Sequence, residues 1–342
     1  NKWHSPNYRK PLINTTLERN IRTYPTELVR QNIGVLVIKT TTVGLAPIEN
    51  AIVKISSPSL PDQIIEEVTT DINGQTAEIE LATPPIDYSL NPGEEQPYST
   101  YNVTVTAPGF SPIHIDNLQL LSGVTALQRV TMKPDNKSSG RVYVIPPHTL
   151  FGDFPPKIPE SEIKSVGETG EIVLTEVVIP EFVIVHDGPP TDTAADNYYV
   201  RFRDYIKNVA SSEIYSSWPE ASIISNILAI LSFTLNRVFT EWYTNQGYNF
   251  TITSSTAFDH KWVPGRNTFQ NIELIVDRIF VNYLSRPNIT QPILTQYCDG
   301  NRVQCPNWMS QWASLELGKQ GYSAIEILRT YYGESIYINT AS

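Results

Sequence analysis

Cysteine and histidine are scarce in this chain, with 2 and 5 copies in 342 residues. A structural zinc site draws on about four such ligands. Cys298, Cys305 and the scattered histidines do not spell one, so no metal and no other cofactor is expected. The two cysteines can close one short disulfide loop or remain two thiols, and the sequence leaves both open. Neither has a matched histidine that would mark a cysteine peptidase. Glycine is sparse as well, at 17 residues. No glycine-rich phosphate loop occurs, and no GxSxG elbow, which argues against nucleotide chemistry and a serine hydrolase. Positive charge is short: 25 basic residues face 35 acidic ones, for a net charge of −10. With no Lys/Arg run, nucleic acid is not an expected partner. No apolar run reaches the ~18 residues of a membrane span. The best candidate, Ile223 to Leu235, is interrupted by Ser225, Asn226, Ser232 and Thr234, so no membrane span is expected.

What is present is a globular composition, 40% hydrophobic and 18% charged, long enough for about two domains. Residues 1–30 are polar and aperiodic and read as an N-terminal arm, with a short helix around Thr26 to Arg30. Residues 31–134 are β-rich. Strands are expected at Gly34 to Thr40, Asn50 to Ile55, Thr76 to Leu81, Tyr101 to Ala107 and Leu127 to Met132. Turns fall at Asp71-Ile-Asn-Gly74 and Ala107-Pro-Gly109. Residues 135–180 hold a concentration of the 26 prolines and read as an extended linker, with strands at Arg141 to Ile145 and Glu171 to Ile179. An exposed linker of this kind is where proteases cut.

From Glu181 to residue 342 the texture becomes helical. A strand at Phe182 to His186 runs into a turn at Gly188. A helix is expected from Phe202 to Ile214, and Pro219 suits the first turn of a long apolar helix reaching about Asn245. Asn267 suits the cap of a further helix that ends before Pro287. Ser323 and Glu326 form a capping box for a last helix, closed by Gly333. At helical period, Ile206, Val209, Ala210 and Glu213 share one stripe, placing a carboxylate where the pattern asks for an apolar side chain. Such a carboxyl either finds a cation, with Lys207 nearby, or stays protonated with a raised pKa. The second state is what a general acid beside a cleft requires.

Two resemblances attach to these residues. The strand, DxxG turn and APGF turn of residues 31–134 resemble Cna-B-like and carboxypeptidase-regulatory-like domains, which implies an all-β sandwich. The helical part resembles the SpoIID family, and within it the spore cortex-lytic branch of the SleC type. Four ordered blocks carry that resemblance. They are Tyr205-Ile-Lys-Asn-Val-Ala-Ser-Ser-Glu-Ile-Tyr-Ser-Ser-Trp-Pro-Glu-Ala221, Thr295-Gln-Tyr-Cys-Asp-Gly300, Met309-Ser-Gln-Trp312 and Gln320 to Gly333. The implied fold is a β-sandwich pro-domain followed by a helix-rich α+β catalytic domain.

The implied activity is lytic transglycosylation of cortex peptidoglycan during germination, in the extracytoplasmic layers of the spore. It would act from a zymogen that a subtilisin-like germination protease cuts between about Lys164 and Pro180. Glu213 falls on the family's catalytic acid. Gln296, Tyr297, Ser310, Gln311 and Trp312 fall on the expected sugar-binding wall. Trp218 is read as core. Asp259 and His260 are candidates to position substrate, though as loop residues they suit an exposed surface better. The cysteines that hold zinc in some family members are missing around Thr253 to Phe258, and Ala313 stands where the family keeps glycine. Two other readings share these residues: a non-catalytic enhancer of a partner amidase, and an adhesin built on the β-module.

Overall fold

The computed structural model describes residues 32–135, 140–148, 157–165 and 174–341. The expected arm with its short helix lies outside the described residues, as do residues 166–173 of the linker. The architecture is mixed α/β, with several sheets and, among the described residues, five α-helices.

The N-terminal half is built from β1 (Ile33–Thr42), β2 (Ile52–Ser57), β3 (Leu60–Thr69), β4 (Ile79–Ala82), β5 (Tyr98–Thr106), β6 (Ile113–Leu121), β7 (Thr125–Met132) and β8 (Arg141–Val144). Every expected strand before residue 145 is present. Strands β3-β2-β5-β6-β8 form one sheet, and β7, β1 and β4 belong to a second that faces it. Alternation drives the pairing: Leu36, Ile38 and Thr40 of β1 and Val53 and Ile55 of β2 turn into the shared core, all fully or nearly fully buried. The Asp71–Gly74 turn is closed by the Asp71 carboxylate, which accepts from the backbone of Asn73 and Gln75 at 2.9 Å each. Gly74 has φ +72°, and a Cβ there would stand 2.3 Å from the Thr40 carbonyl, so only glycine fits.

Two strands of this half escaped the sequence pattern. β3 lies at a sheet edge with nearly all its residues exposed, so no buried face imposes a period of two. β6 contains Asn117 at φ +61°, where the β5 register shifts and the alternation is broken.

The C-terminal half packs five helices, α1 (Phe202–Glu213), α2 (Glu220–Phe239), α3 (Gln270–Ile279), α4 (Gln311–Lys319) and α5 (Ala324–Tyr332). Small sheets flank them. β9 (Phe182–His186) sits between β10 (Asn197–Arg201) and β11 (Ile252–Thr253). β13 (Asn282–Ser285) pairs with β16 (Tyr337–Thr340), and β14 (Tyr297–Cys298) with β15 (Met309–Ser310).

Helix α2 is long and apolar enough to cross a membrane by length and composition, but it is the buried centre of this half. In its middle the hydroxyls are satisfied within the helix, Ser232 donating to the Leu228 carbonyl and Thr234 to that of Ile230, at 2.8 Å each, whereas Ser222 near its start donates to the Ser314 carbonyl at 2.7 Å. It ends at Phe239, not near Asn245, because Glu241 turns left-handed at φ +46°. The capping box of Ser323 and Glu326 and the closing Gly333 are as expected.

Asn267 is not a helix cap. Phe269 takes that place. Asn267 instead grips the Gln119 backbone of β6, accepting its N–H at 3.2 Å and donating to its carbonyl at 2.9 Å. The next two residues form β12 (Thr268–Phe269), which adds to β7 as the outer strand of the second sheet. The two halves therefore share a sheet, reinforced by the Arg129–Glu273 ion pair. The linker strand β8 is present, whereas Leu174 to Ile179 forms no strand and runs irregularly, with Leu174 N–H donating to the Phe239 carbonyl.

Candidate active site

Glu213 is the last residue of α1, and its stripe companions Ile206, Val209 and Ala210 are fully buried, as the spacing predicts. Beyond it, Ile214 is extended, so the Glu213 side chain is offered at a helix end. Lys207 is not its partner. That ammonium lies 2.9 Å from Asp277 and 3.5 Å from Glu273. One Glu213 oxygen accepts the Lys261 backbone N–H at 2.7 Å, and the other accepts the Tyr297 hydroxyl. Burial pushes the Glu213 pKa up, against the Lys157 ammonium, the Tyr297 hydroxyl and the Lys261 N–H, which favour the charged form.

The two donors are fixed by separate devices. Tyr297 lies on β14, pinned by pairing with β15 and by the Cys298–Cys305 disulfide, which settles the state of the cysteines. Its own pKa is driven well above the ordinary phenol range by burial and by the Glu213 carboxylate. Lys261 belongs to a loop anchored by Asp259. The Asp259 carboxylate accepts from Arg237 Nε at 2.8 Å, Tyr243 Oη at 2.7 Å, and Thr253 N and Oγ1 at 2.9 and 2.7 Å.

Asp259 and His260 are therefore not surface loop residues; both are fully buried. Arg237, the one cation on the buried helix α2, draws the loop inward. Asp259 holds the framework, both of its carboxylate oxygens engaged by Arg237, Tyr243 and Thr253. His260 accepts or donates at 3.0 Å with the Tyr205 hydroxyl through Nδ1, lies parallel to Tyr297 at 5.9 Å, and has a buried Nε2 without a hydrogen-bond partner.

The remaining candidates divide. Gln311 donates to the Glu213 backbone carbonyl at 3.5 Å and so supports the end of α1. Ser310 is the half-buried N-cap of α4, its hydroxyl accepting from the Ala313 N–H at 3.1 Å. Ala313 lies inside α4 and needs no positive φ. Trp312, Trp218 and Tyr215 form one aromatic cluster, with Trp218 and Trp312 at 5.3 Å. Trp218 is core, its indole donating to the Ser89 carbonyl at 2.8 Å across the two halves. Tyr215 and Trp312 line a cavity of about 200 Å³ together with Tyr98, His148 and Arg302. Gln296 is buried against the chain itself, accepting from Glu160 N–H at 3.0 Å and donating to the Ile158 carbonyl at 2.8 Å.

Sequence reasoning missed Lys157, Glu160, Tyr205, Arg237 and Lys261. Arg237 had a legible signal, a lone cation on a buried helix, which calls for a carboxylate partner. Among the described residues, no three His, Cys, Asp or Glu side chains converge as a metal site.

The buried histidines make a pH prediction. His148 and His260 are held well below the ordinary imidazole value of 6.5, each mainly by burial, then by Arg266 and Lys261 for the first and by Lys157 and Arg237 for the second. Below 6.5 the unfolded chain takes up protons that the folded chain refuses, so stability is complete above that pH and is lost as the pH falls. Each histidine contributes at most about 1.4 kcal/mol per pH unit. Melting temperatures measured between pH 7 and 5 are expected to fall, less steeply in His148→Phe; an unchanged slope in that variant overturns the assignment to His148.

No family model matches the chain, and no curated protein matches it either. Among solved structures, similarity extends over about a third of the chain. The Bacillus anthracis TIE protein is 17% identical with a TM-score of 0.21, covering 30% of this chain and 17% of that one. The minor pilin GBS52 of Streptococcus agalactiae is 9% identical with a TM-score of 0.21, over 32% of this chain and 47% of that one. The 5-hydroxyisourate hydrolase of Klebsiella pneumoniae is 13% identical with a TM-score of 0.19, over 30% and 92% of the two chains. This chain thus spans well under two thirds of the first of these proteins.

Proposed function

We propose that the chain is a peptidoglycan lytic transglycosylase of the SpoIID type, made as a zymogen and acting on spore cortex during germination. In this reading the N-terminal half is a Cna-B-like or carboxypeptidase-regulatory-like module belonging to the pro-region, and the helical half is catalytic. A subtilisin-like germination protease would cut between Lys164 and Pro180, where Thr175 and Glu176 are exposed.

The observation that carries the reading is the buried carboxyl of Glu213, with no cation on either oxygen among the described residues and oriented at both by Tyr297 and the Lys261 N–H. Nearby carboxylates are engaged elsewhere: Asp259 by Arg237, Tyr243 and Thr253, and Glu160 by Arg237 and Lys164. A hydrolase of the two-carboxylate kind would need a second group facing the bond. One carboxyl suffices when the nucleophile is in the substrate. Glu213 would protonate the glycosidic oxygen between N-acetylmuramic acid and N-acetylglucosamine, and the C1–O bond would break with positive charge developing at C1. The resulting carboxylate would take the proton of the muramic C6 hydroxyl as that oxygen closes on C1, giving a 1,6-anhydro end.

The test is mass analysis of cortex peptidoglycan treated with protein cut at Thr175–Glu176. The expected products carry 1,6-anhydro-muramic ends. Reducing muramic ends would replace this reading with a hydrolase. No new ends at high protein concentration, with faster cleavage by a partner amidase, would replace it with the enhancer reading.

A further inference from the structure

Residues 157–164 do not behave as a linker. They run as a strap across the helical half, bound at Lys157, Ile158, Glu160, Glu162 and Lys164. The Ile158 N–H donates to the Ala257 carbonyl at 2.7 Å, and the Leu294 N–H donates to the Glu162 carbonyl at 2.8 Å. Two glutamine side chains clasp its backbone amides from the 291–296 segment. Gln296 takes Glu160 N–H and Ile158 carbonyl, and Gln291 takes Lys164 N–H at 2.7 Å and its carbonyl at 3.1 Å. Charged groups lock the same stretch. Glu160 receives both Arg237 amino groups at 2.6 and 2.8 Å, and Glu162 receives Arg286 at 2.7 and 2.8 Å.

At its N-terminal end the strap inserts Lys157 into the candidate site. The ammonium lies 5.2 Å from the ring centres of both Phe233 and Tyr297, and donates to the Asp259 backbone carbonyl. The charged and titratable groups around it are Glu213, Asp259, Glu160, Arg237 and His260. Two aromatic faces and a carboxylate around one cation form a cage that favours positive charge. An oxocarbenium-like transition state develops positive charge beside the acid that has just given up its proton.

We infer that residues 157–164 occupy the glycan cleft as a built-in ligand, with the Lys157 ammonium standing in for the anomeric carbon that becomes cationic and the strap's backbone amides standing in for the N-acetyl amides of the sugars. The inference rests on the glycan-cleaving reading of Glu213 and adds to it the occupant of the cleft and a ligand class, cationic analogues of N-acetylated sugars. While the strap is in place, glycan is excluded, and Lys157 favours the ionised form of Glu213, the wrong form for an acid. Its departure removes the largest influence holding the Glu213 pKa down.

The test reads binding, not turnover. In the full chain, residues 157–164 are replaced by an equal length of Gly and Ser. Calorimetry then measures binding of the N-acetylglucosamine hexasaccharide and of a piperidine iminosugar of N-acetylglucosamine configuration. The replaced chain is expected to bind the hexasaccharide at least about tenfold more tightly than the intact chain, and to prefer the iminosugar over its neutral monosaccharide counterpart by a similar factor. A free peptide of residues 157–165 is expected to compete, and the same peptide with Lys157→Met to compete about tenfold less well. Equal hexasaccharide affinity in intact and replaced chains, or no competition by either peptide, overturns the inference. If the replaced chain does not fold, the intact chain is cut at Thr175–Glu176 and run on gel filtration with the hexasaccharide. Glycan bound while the strap fragment is still in place overturns the inference, and glycan bound only where it has left supports it. Binding of the hexasaccharide by the replaced chain, with no cleavage of cortex peptidoglycan by that same chain, leaves the inference standing and removes the transglycosylase reading.

Discussion

Glu213→Gln is expected to lower the rate of 1,6-anhydro end formation by about 10²–10⁴-fold, the range lost when a general acid–base group is removed. Gln keeps the shape of the side chain. Its carbonyl oxygen can still accept the Lys261 N–H, and its amino group can donate to the Tyr297 hydroxyl, the two partners that hold Glu213 now. The variant is therefore expected to fold with a stability within about 1 kcal/mol of the parent near pH 5. Above that pH a difference should open. The folded carboxyl has a raised pKa, so its own contribution to stability falls as the pH rises above the ordinary carboxyl value of 4.5, opposite in sign to that of the two buried histidines, while the amide does not titrate. Muropeptide mass analysis reads the first expectation, and urea midpoints at pH 5 and 7 read the second. Undiminished anhydro ends in a folded Glu213→Gln protein would falsify the catalytic assignment.

The second large effect is structural. Arg237→Met is expected to cost about 3–5 kcal/mol, because it strands the fully buried Asp259 carboxylate. Burial works against the Arg237 charge, yet Asp259 and Glu160 hold its pKa above the ordinary guanidinium value. Arg237→Lys should recover little, since an ammonium cannot reach Asp259 and fork onto Glu160 together. Urea unfolding decides this. A loss under 1 kcal/mol would show that the loop carrying Asp259 and Lys261 is held by packing instead. The removal of Asp259 in Arg237→Met/Asp259→Leu should return part of the loss, because no charge is then left unpaired.

Much of the helical half was legible because its signals are local. The apolar stripe of α1, the proline before α2 and the capping box of α5 each depend on a few neighbouring residues. The position of Glu213 was legible on the same ground. Its partners were not, because Tyr297 and Lys261 arrive from 84 and 48 residues away. Asp259 and His260 looked exposed since nothing in their own neighbourhood announces that Arg237 will bury them. Asn267 carries a good cap residue's chemistry, but the Gln119 backbone outbids the helix for it. The strap was hidden by its prolines, which mark a chain without regular structure. They do not say whether that chain is solvated or bound. The edge strand β3 left no pattern because burial, the source of patterning, is missing there.

The shared sheet has a kinetic consequence. β12 ties the helical half to β7, and Asn267, Glu273 and Trp218 add further ties to the N-terminal half. A single cut in the linker therefore nicks the molecule without separating its halves. Before the cut, the strap returns to its cleft at an effective concentration set by its tether, and no dilution can change that. After the cut and once the halves part, return becomes a meeting of two bodies, governed by the concentration of free fragment. In the proposed reading the cut would thus convert a concentration-independent closure into one that dilution, or a dense wall of competing glycan, would pull open.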